Sequence, residues 1–307
     1  MEEDVCMDNR IDDRQWHVLA PSLVIAAGIT WGMLGFFAHF LSGAGLSALQ
    51  ITEVRCISAA AVLFAAIAVR KPELLKIHLR DAGLFIGTGV VSIAFFNICY
   101  LICIKESTLS VACTLLYTAP CFTMLSSCLI FHEKFTPRKA ASTFLAFLGC
   151  VFITGIISMG TGLHITAYAL VAGLCSGFAY SLYTVIGRFA LRKYSWLTVI
   201  AYTFLFAAVA LLPFCGPADI ARTLLASPVI ALDAVMLVLV STLTPFLLYT
   251  KGLEHMETGK AALLTFVEPM VATIISALVF RESFTLNNAI GIVLIISSII
   301  VLQYRSE

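Results

Sequence analysis

Ten apolar runs, each near the ~20 residues that cross a hydrocarbon core as a helix, leave this chain almost no way to fold in water. They cover roughly residues 19–41, 48–69, 82–104, 109–131, 138–159, 166–187, 195–214, 229–250, 260–280 and 286–303. Turn-forming or charged residues separate them: Gly43 and Gly45, Arg70-Lys71-Pro72, Pro137, Gly160 and Gly162, Gly216-Pro217, and Ser227-Pro228. Only 12% of all residues are charged, against about 25% in soluble domains. A segment in lipid must satisfy its own backbone, as a helix or a closed barrel, and runs of this length select helices. The expected fold is an all-α membrane protein with ten transmembrane helices.

The runs are not independent. The segment FHEKFT (Phe131 to Thr136) returns as FRESFT (Phe280 to Thr285), 149 positions later. At the same offset Pro120 answers Pro269, Tyr100 answers Tyr249, Ala112 answers Ala261 and Leu115 answers Leu264. Trp31-Gly32 in the first helix is matched to Phe178-Ala179 in the sixth. A period this long reads as one structural unit used twice. Residues 19–159 and 166–303 would then be two five-helix repeats. Five is odd, so the second copy enters the membrane from the opposite face, as inverted repeats do in many secondary transporters.

Charge orients the set. Residues 1–18 form an acidic, polar tail without the basic start of a secretory signal. Of the 19 Lys and Arg, 15 fall on the side of this tail, Lys105, Arg222 and Arg281 fall on the other, and Arg55 lies within a span. That asymmetry places both termini in the cytosol. Glu133 then ends the fourth helix on the inner face, and Glu282 ends the ninth on the outer face. A carboxylate at a helix C-terminus opposes the macrodipole. The expected role for both is structural, each capping free N–H groups of the next helix, with Thr136-Pro137 and Thr285 as the adjoining helix starts.

The doubled pattern of Ala119-Pro120 and Glu268-Pro269, each followed by a terminal glutamate, resembles the EamA-like group of the drug/metabolite transporter superfamily. Trp31-Gly32 and Arg55 stand where that group has similar residues. The resemblance spans about residues 19–303. It implies a ten-helix permease of the inner membrane for amino acids or other small metabolites, often an exporter. It also implies a central cavity lined by helices 1, 3, 4, 6, 8 and 9.

Charges within a bilayer are expensive and mark a cavity or a partner. Glu268 lies about midway along the ninth helix beside Pro269. It reads as an acceptor for a substrate ammonium, as a proton-coupling carboxylate, or as a neutral carboxyl bonded between helices. Arg55 reads as a receptor for a substrate carboxylate or as a structural charge reaching the headgroups. Pro120 and Pro269 each remove a helix hydrogen bond and kink their helices. Asn97, Trp31, Tyr100, Tyr117, Tyr180 and Thr242 are the leading further substrate-binding candidates, with Thr30, Tyr183, Ser241 and Thr244 beside them, because buried amides and hydroxyls need partners. The alternative for the tyrosines is helix packing or interfacial anchoring.

The ten cysteines lie mostly inside apolar runs without a CxxC pair, and they read as packing residues. No metal site or cofactor is expected. The net charge of +1 gives no field for nucleic acid. Zincin and nucleophile-elbow motifs are missing from the spans, so an enzyme is not expected, although a membrane-embedded enzyme or receptor is the minor competing class. The expected activity is alternating access at a midplane cavity, moving an amino acid or related zwitterion outward. Multidrug efflux of hydrophobic compounds is the main alternative. Expected partners are the substrate, membrane lipids and, if Glu268 titrates, protons, for a monomer or homodimer.

Overall fold

The structure is a computed structural model that describes residues 13–156 and 165–304. Most of the N-terminal tail, the Gly160–Gly162 break and Arg305 lie outside the described residues. The described chain runs through α1 (Gln15–Gly43), α2 (Ala48–Arg70), α3 (Leu79–Glu106), α4 (Leu109–Ile130) and α5 (Pro137–Ile153). It continues through α6 (Ala167–Leu191), α7 (Trp196–Cys215), α8 (Pro217–Ala226), α9 (Pro228–Glu254), α10 (Thr258–Val279) and α11 (Leu286–Gln303). Among the described residues there is no strand.

Among the described residues, nine of these helices are long and apolar enough to span a membrane. The tenth expected span, α5, has 17 residues, shorter than the run suggested. Its end is set at Gly155, whose φ of +69° turns the chain out of the helix, the left-handed stop that glycine supplies. The amphipathic α8 lies where the sequence suggested only a Gly-Pro break. Gly216 at φ +57° gives the turn into it, and Pro217 occupies its first position.

Helix starts obey local chemistry. Ser47 and Gln50 form a capping box on α2, Thr136 caps α5 ahead of Pro137, and Thr285 with Asn288 caps α11. Two helices contain wider π turns, Gly87–Phe95 in α3 and Leu239–Leu243 in α9, a distortion that often accompanies functional sites.

Small residues let helices touch. The hydroxyls of Ser142 and Ser298 are 3.0 Å apart across α5 and α11. A Cβ on Gly149 would meet the Gly291 carbonyl at 2.8 Å, so this crossing requires glycine. Adding 149 to Ser142 gives Gly291, and to Gly149 gives Ser298. The two contacts therefore exchange under the repeat offset. Gly28 and Gly177, also 149 apart, each admit another helix. The first lies against Val267 and Glu268, the second against Leu115 and Thr118. This register corrects the match of Trp31-Gly32 with Phe178-Ala179 by two residues. Trp31 corresponds to Tyr180, and Phe178 points outward, 47% exposed.

The terminal glutamates also differ from expectation. Glu133 does not cap α5, whose N-terminus Thr136 already serves. It crosses to α10, accepting from the N–H groups of Thr258 at 2.7 Å and Gly259 at 3.1 Å. Glu282 caps no helix; its carboxylate accepts from the Ser276 hydroxyl. The rule that failed was proximity in sequence, since a hairpin at a helix end can aim a side chain across the bundle as readily as forward.

Beside Glu133, the buried Lys139 reaches Glu257 at 3.0 Å, and Lys260 reaches the same carboxylate at 3.2 Å. Burial alone raises the Glu257 carboxyl, but hydrogen bonding and charge from Lys139 and Lys260 outweigh it and hold the group below the ordinary glutamate range. A depressed carboxyl stabilises the fold above its unfolded value and loses that contribution as pH falls through its folded value. Thermal midpoints measured in detergent should therefore fall below about pH 4.5. Glu257→Gln should show a shallower acid limb than the unaltered chain.

Candidate functional site

The helices enclose a central cavity of about 220 Å³. Its wall comes from α1, α2, α3, α4, α6, α7, α9 and α10. These include the six helices that the resemblance implied, with α9 and α10 as its eighth and ninth, and add α2 and α7. Trp31, Asn97, Tyr100, Tyr117, Tyr180, Arg55, Pro120 and Glu268 all line it. Thr242 and Pro269 do not, and neither do Glu133 and Glu282.

The wall is built largely of positions 149 apart. Trp31 and Tyr180, Leu34 and Tyr183, Asn97 and Phe246, and Tyr100 and Tyr249 are such pairs, with both members on the cavity. So are Leu116 and Thr265, and Tyr117 and Phe266. The two charged lining residues break the pattern: Arg55 corresponds to Phe204, and Glu268 to Ala119. The wall is thus drawn largely from equivalent positions of the two halves but is polarised in charge.

Glu268 sits at the start of the second segment of α10, after the break at Thr265-Phe266. Gly32 of α1 packs beside it, since a Cβ there would meet the Glu268 carbonyl oxygen at 2.8 Å. The side chain is half-buried. Among the described residues no cation lies within 4.0 Å of its carboxylate, so its charge is left to the cavity. Arg55 has a different support. Its Nε donates to Thr242 Oγ1 at 2.9 Å, and that hydroxyl donates in turn to the Leu237 carbonyl at 3.2 Å. Thr242 lies within the π turn of α9, and the carbonyl it bonds is five residues back along that helix. Thr242 therefore acts behind the wall rather than on it. Thr242→Val should weaken ligand binding roughly three- to tenfold, the worth of one charge-assisted hydrogen bond that keeps Arg55 aimed. Titration calorimetry would read this, while the thermal midpoint changes little.

Other polar wall groups are partly satisfied. Asn97 donates to the Ile93 carbonyl at 2.8 Å and accepts from Thr52 Oγ1 at 3.3 Å. The Tyr100 hydroxyl lies 3.0 Å from Cys113 Sγ. Along one side of the cavity two bonds join α6 and α9, Tyr183 to Thr250 and Thr184 to Tyr249, each 2.7 Å. Edge-on packing of Trp31 and Tyr183 against Phe246 reinforces that side of the wall. Thr52, Thr184, Tyr249 and Thr265 are wall residues that residue type and position alone did not single out, whereas Tyr183 was among the expected polar candidates. The offset itself was a usable signal for one of them, since it carries Tyr100 to Tyr249. No cluster of metal-ligating side chains occurs among the described residues.

A bundle of apolar helices around one cavity that holds two opposite charges is the architecture of a membrane transporter. The profile of the EamA-like transporter family matches residues 18–155 and again residues 167–304, and the chain belongs to that family. It is 26% identical over 288 residues to the uncharacterized inner membrane transporter YicL of Salmonella typhimurium, covering 92% of this chain and 95% of that one. An uncharacterized transporter of Archaeoglobus fulgidus is 26% identical over 275 residues, 88% of this chain and 92% of the relative. The uncharacterized transporter YdfC of Bacillus subtilis is 28% identical over 270 residues, 84% of each. A solved crystal structure superposes with a TM-score of 0.75 at 18% identity, over 92% of this chain and 95% of the other, a likeness of fold.

Proposed function

We propose that this transporter exports an amino acid or a related small zwitterion across the cytoplasmic membrane by alternating access. The observation that carries this reading is the isolated pair of Arg55 and Glu268 in an otherwise uncharged wall. A carboxylate recognised by Arg55 and an ammonium recognised by Glu268 would neutralise both without displacing a bond to either group's own helix. Size favours the same class. A cavity of about 220 Å³ is smaller than the roughly 300–1,000 Å³ of sites for drug-sized ligands, which speaks against multidrug efflux.

Alternating access rests on the topology. Two five-helix halves, 19–159 and 166–303, are supported by the offset pairs that line the cavity and by the double family match. Ten spans would make the halves inverted, and the Lys and Arg asymmetry supports cytosolic termini. In that orientation the Tyr183–Thr250 and Thr184–Tyr249 contacts lie in the cytosolic half of the bundle. The outward direction of transport is drawn from the exporters this chain resembles. A thermal-shift panel of amino acids, organic acids, nucleosides and cationic dyes tests the substrate class, because a ligand of the folded state stabilises it by mass action. Stabilisation by zwitterions but not by their esters or amides is the expected result. Stabilisation by dyes alone would replace this reading with multidrug efflux.

A further inference from the structure

Glu133 and Glu282 occupy equivalent hairpins. His132 and Arg281 both have φ of +55°. The Glu133 N–H donates to Ser127 O at 3.2 Å, and that of Glu282 to Ser276 O at 3.4 Å. Backbone geometry is therefore shared, yet the two carboxylates do different things. Glu133 binds the first two N–H groups of α10, at Thr258 and Gly259. The residues that correspond to these are Leu109 and Ser110, the first two of α4. Glu282 does not reach them; it is parked on Ser276 of its own helix.

The start of α4 is open to such a partner. Thr108 caps it by accepting from Val111 N at 3.3 Å. The N–H groups of Leu109 and Ser110 are among the first four of a helix, which have no partner within it. Leu109 is exposed. Side-chain size is also matched. At the closed face a Cβ on Gly259 would meet Met124 Sδ at 2.8 Å and Ser127 Oγ at 2.9 Å. On the Glu282 side the corresponding residues are Ser110, Thr273 and Ser276. In a matching approach the larger residue at the helix start would meet a smaller one in place of methionine, which leaves room for it.

We propose that Glu133 and Glu282 are alternating latches of the transport cycle. When the Glu133 face opens, Glu133 releases α10, and Glu282 swings from Ser276 to take the N–H groups of Leu109 and Ser110. Neither residue touches the cavity; both are positioning residues that set which face is closed. This inference rests on alternating access by two inverted halves, as proposed above.

The test uses two spin-label pairs in a cysteine-free background of the full chain in lipid. One pair, Ser107→Cys with Ser283→Cys, reports the Glu282 face, and the other, Lys134→Cys with Met256→Cys, reports the Glu133 face. Two distances are expected at the Glu282 face, the shorter being the closed form. Glu282→Gln should deplete the shorter distance on the order of tenfold, and Glu133→Gln should enrich it on the same order, each having lost one charge-assisted latch. The Glu133 face should change in the opposite sense. Responses of opposite sign distinguish latches from struts, because weakened struts would only lower stability. Substrate affinity measured in one fixed conformer should not change.

If both distances occur but Glu282→Gln leaves their ratio unaltered, the latch is wrong while alternating access stands. A single distance at each face in every variant, with or without substrate, overturns both. Should Glu133→Gln fail to fold, the exposed Glu282→Gln still decides.

Discussion

Glu268→Gln should lower substrate affinity and saturable transport by roughly thirtyfold or more. Removing one member of a desolvated charge contact costs about 2–5 kcal/mol, and the cavity offers a ligand cation no second carboxylate. Stability should move little or rise, because no described cation depends on Glu268 within ion-pairing distance. A loss of binding with an unchanged thermal midpoint is therefore the signature of a recognition residue. Calorimetry with the most stabilising zwitterion, together with uptake into proteoliposomes, would read both quantities. Unchanged affinity would remove Glu268 from the site.

The largest effect on folding should come from Gly89. A Cβ there would lie 2.4 Å from the Thr203 carbonyl oxygen and 2.9 Å from the Ala207 nitrogen, both backbone atoms of α7 that cannot rotate away. Gly89→Ala should cost about 3 kcal/mol or more, at the upper end of overpacking, with a clear fall in thermal midpoint and yield. Gly87 supplies an internal control. Its added Cβ would meet the tip of Ile186 at 2.8 Å, and that side chain can change rotamer. Gly87→Ala should be nearly neutral. Equal losses from both substitutions would show that the π turn itself, rather than contact with α7, demands glycine.

Span positions were legible in the sequence because apolar length is a one-dimensional property. The runs at 48–69 and 286–303 agree with α2 and α11 to within a residue. Lining residues were legible where two signals coincided: a polar or aromatic type at a mid-span position, and a counterpart 149 residues away. Tyr100 and Tyr180 are examples. Thr242 failed that test for a physical reason. A wider helical turn rotates every later residue by a fraction of a turn, and no residue type announces a π turn. The partner of Glu133 was hidden because it lies 125 residues away along the chain, and local capping rules reach only a few residues. Amphipathic α8 was masked by its Gly-Pro entrance, since those two residues mark a turn equally well ahead of a helix or a loop.

The charge pattern of the wall carries one more consequence. Arg55 and Glu268 sum to zero, and so does a bound zwitterion. Neither the loaded nor the empty protein would then carry net charge through the membrane as its halves exchange positions. An elementary charge crossing a potential of 100 mV gains or loses about 2.3 kcal/mol. A neutral cavity forgoes that drive and is spared its opposition. Flux should depend on the concentration ratio of the substrate alone and ignore an imposed diffusion potential. A rate that tracked voltage would reveal a companion ion travelling with the substrate.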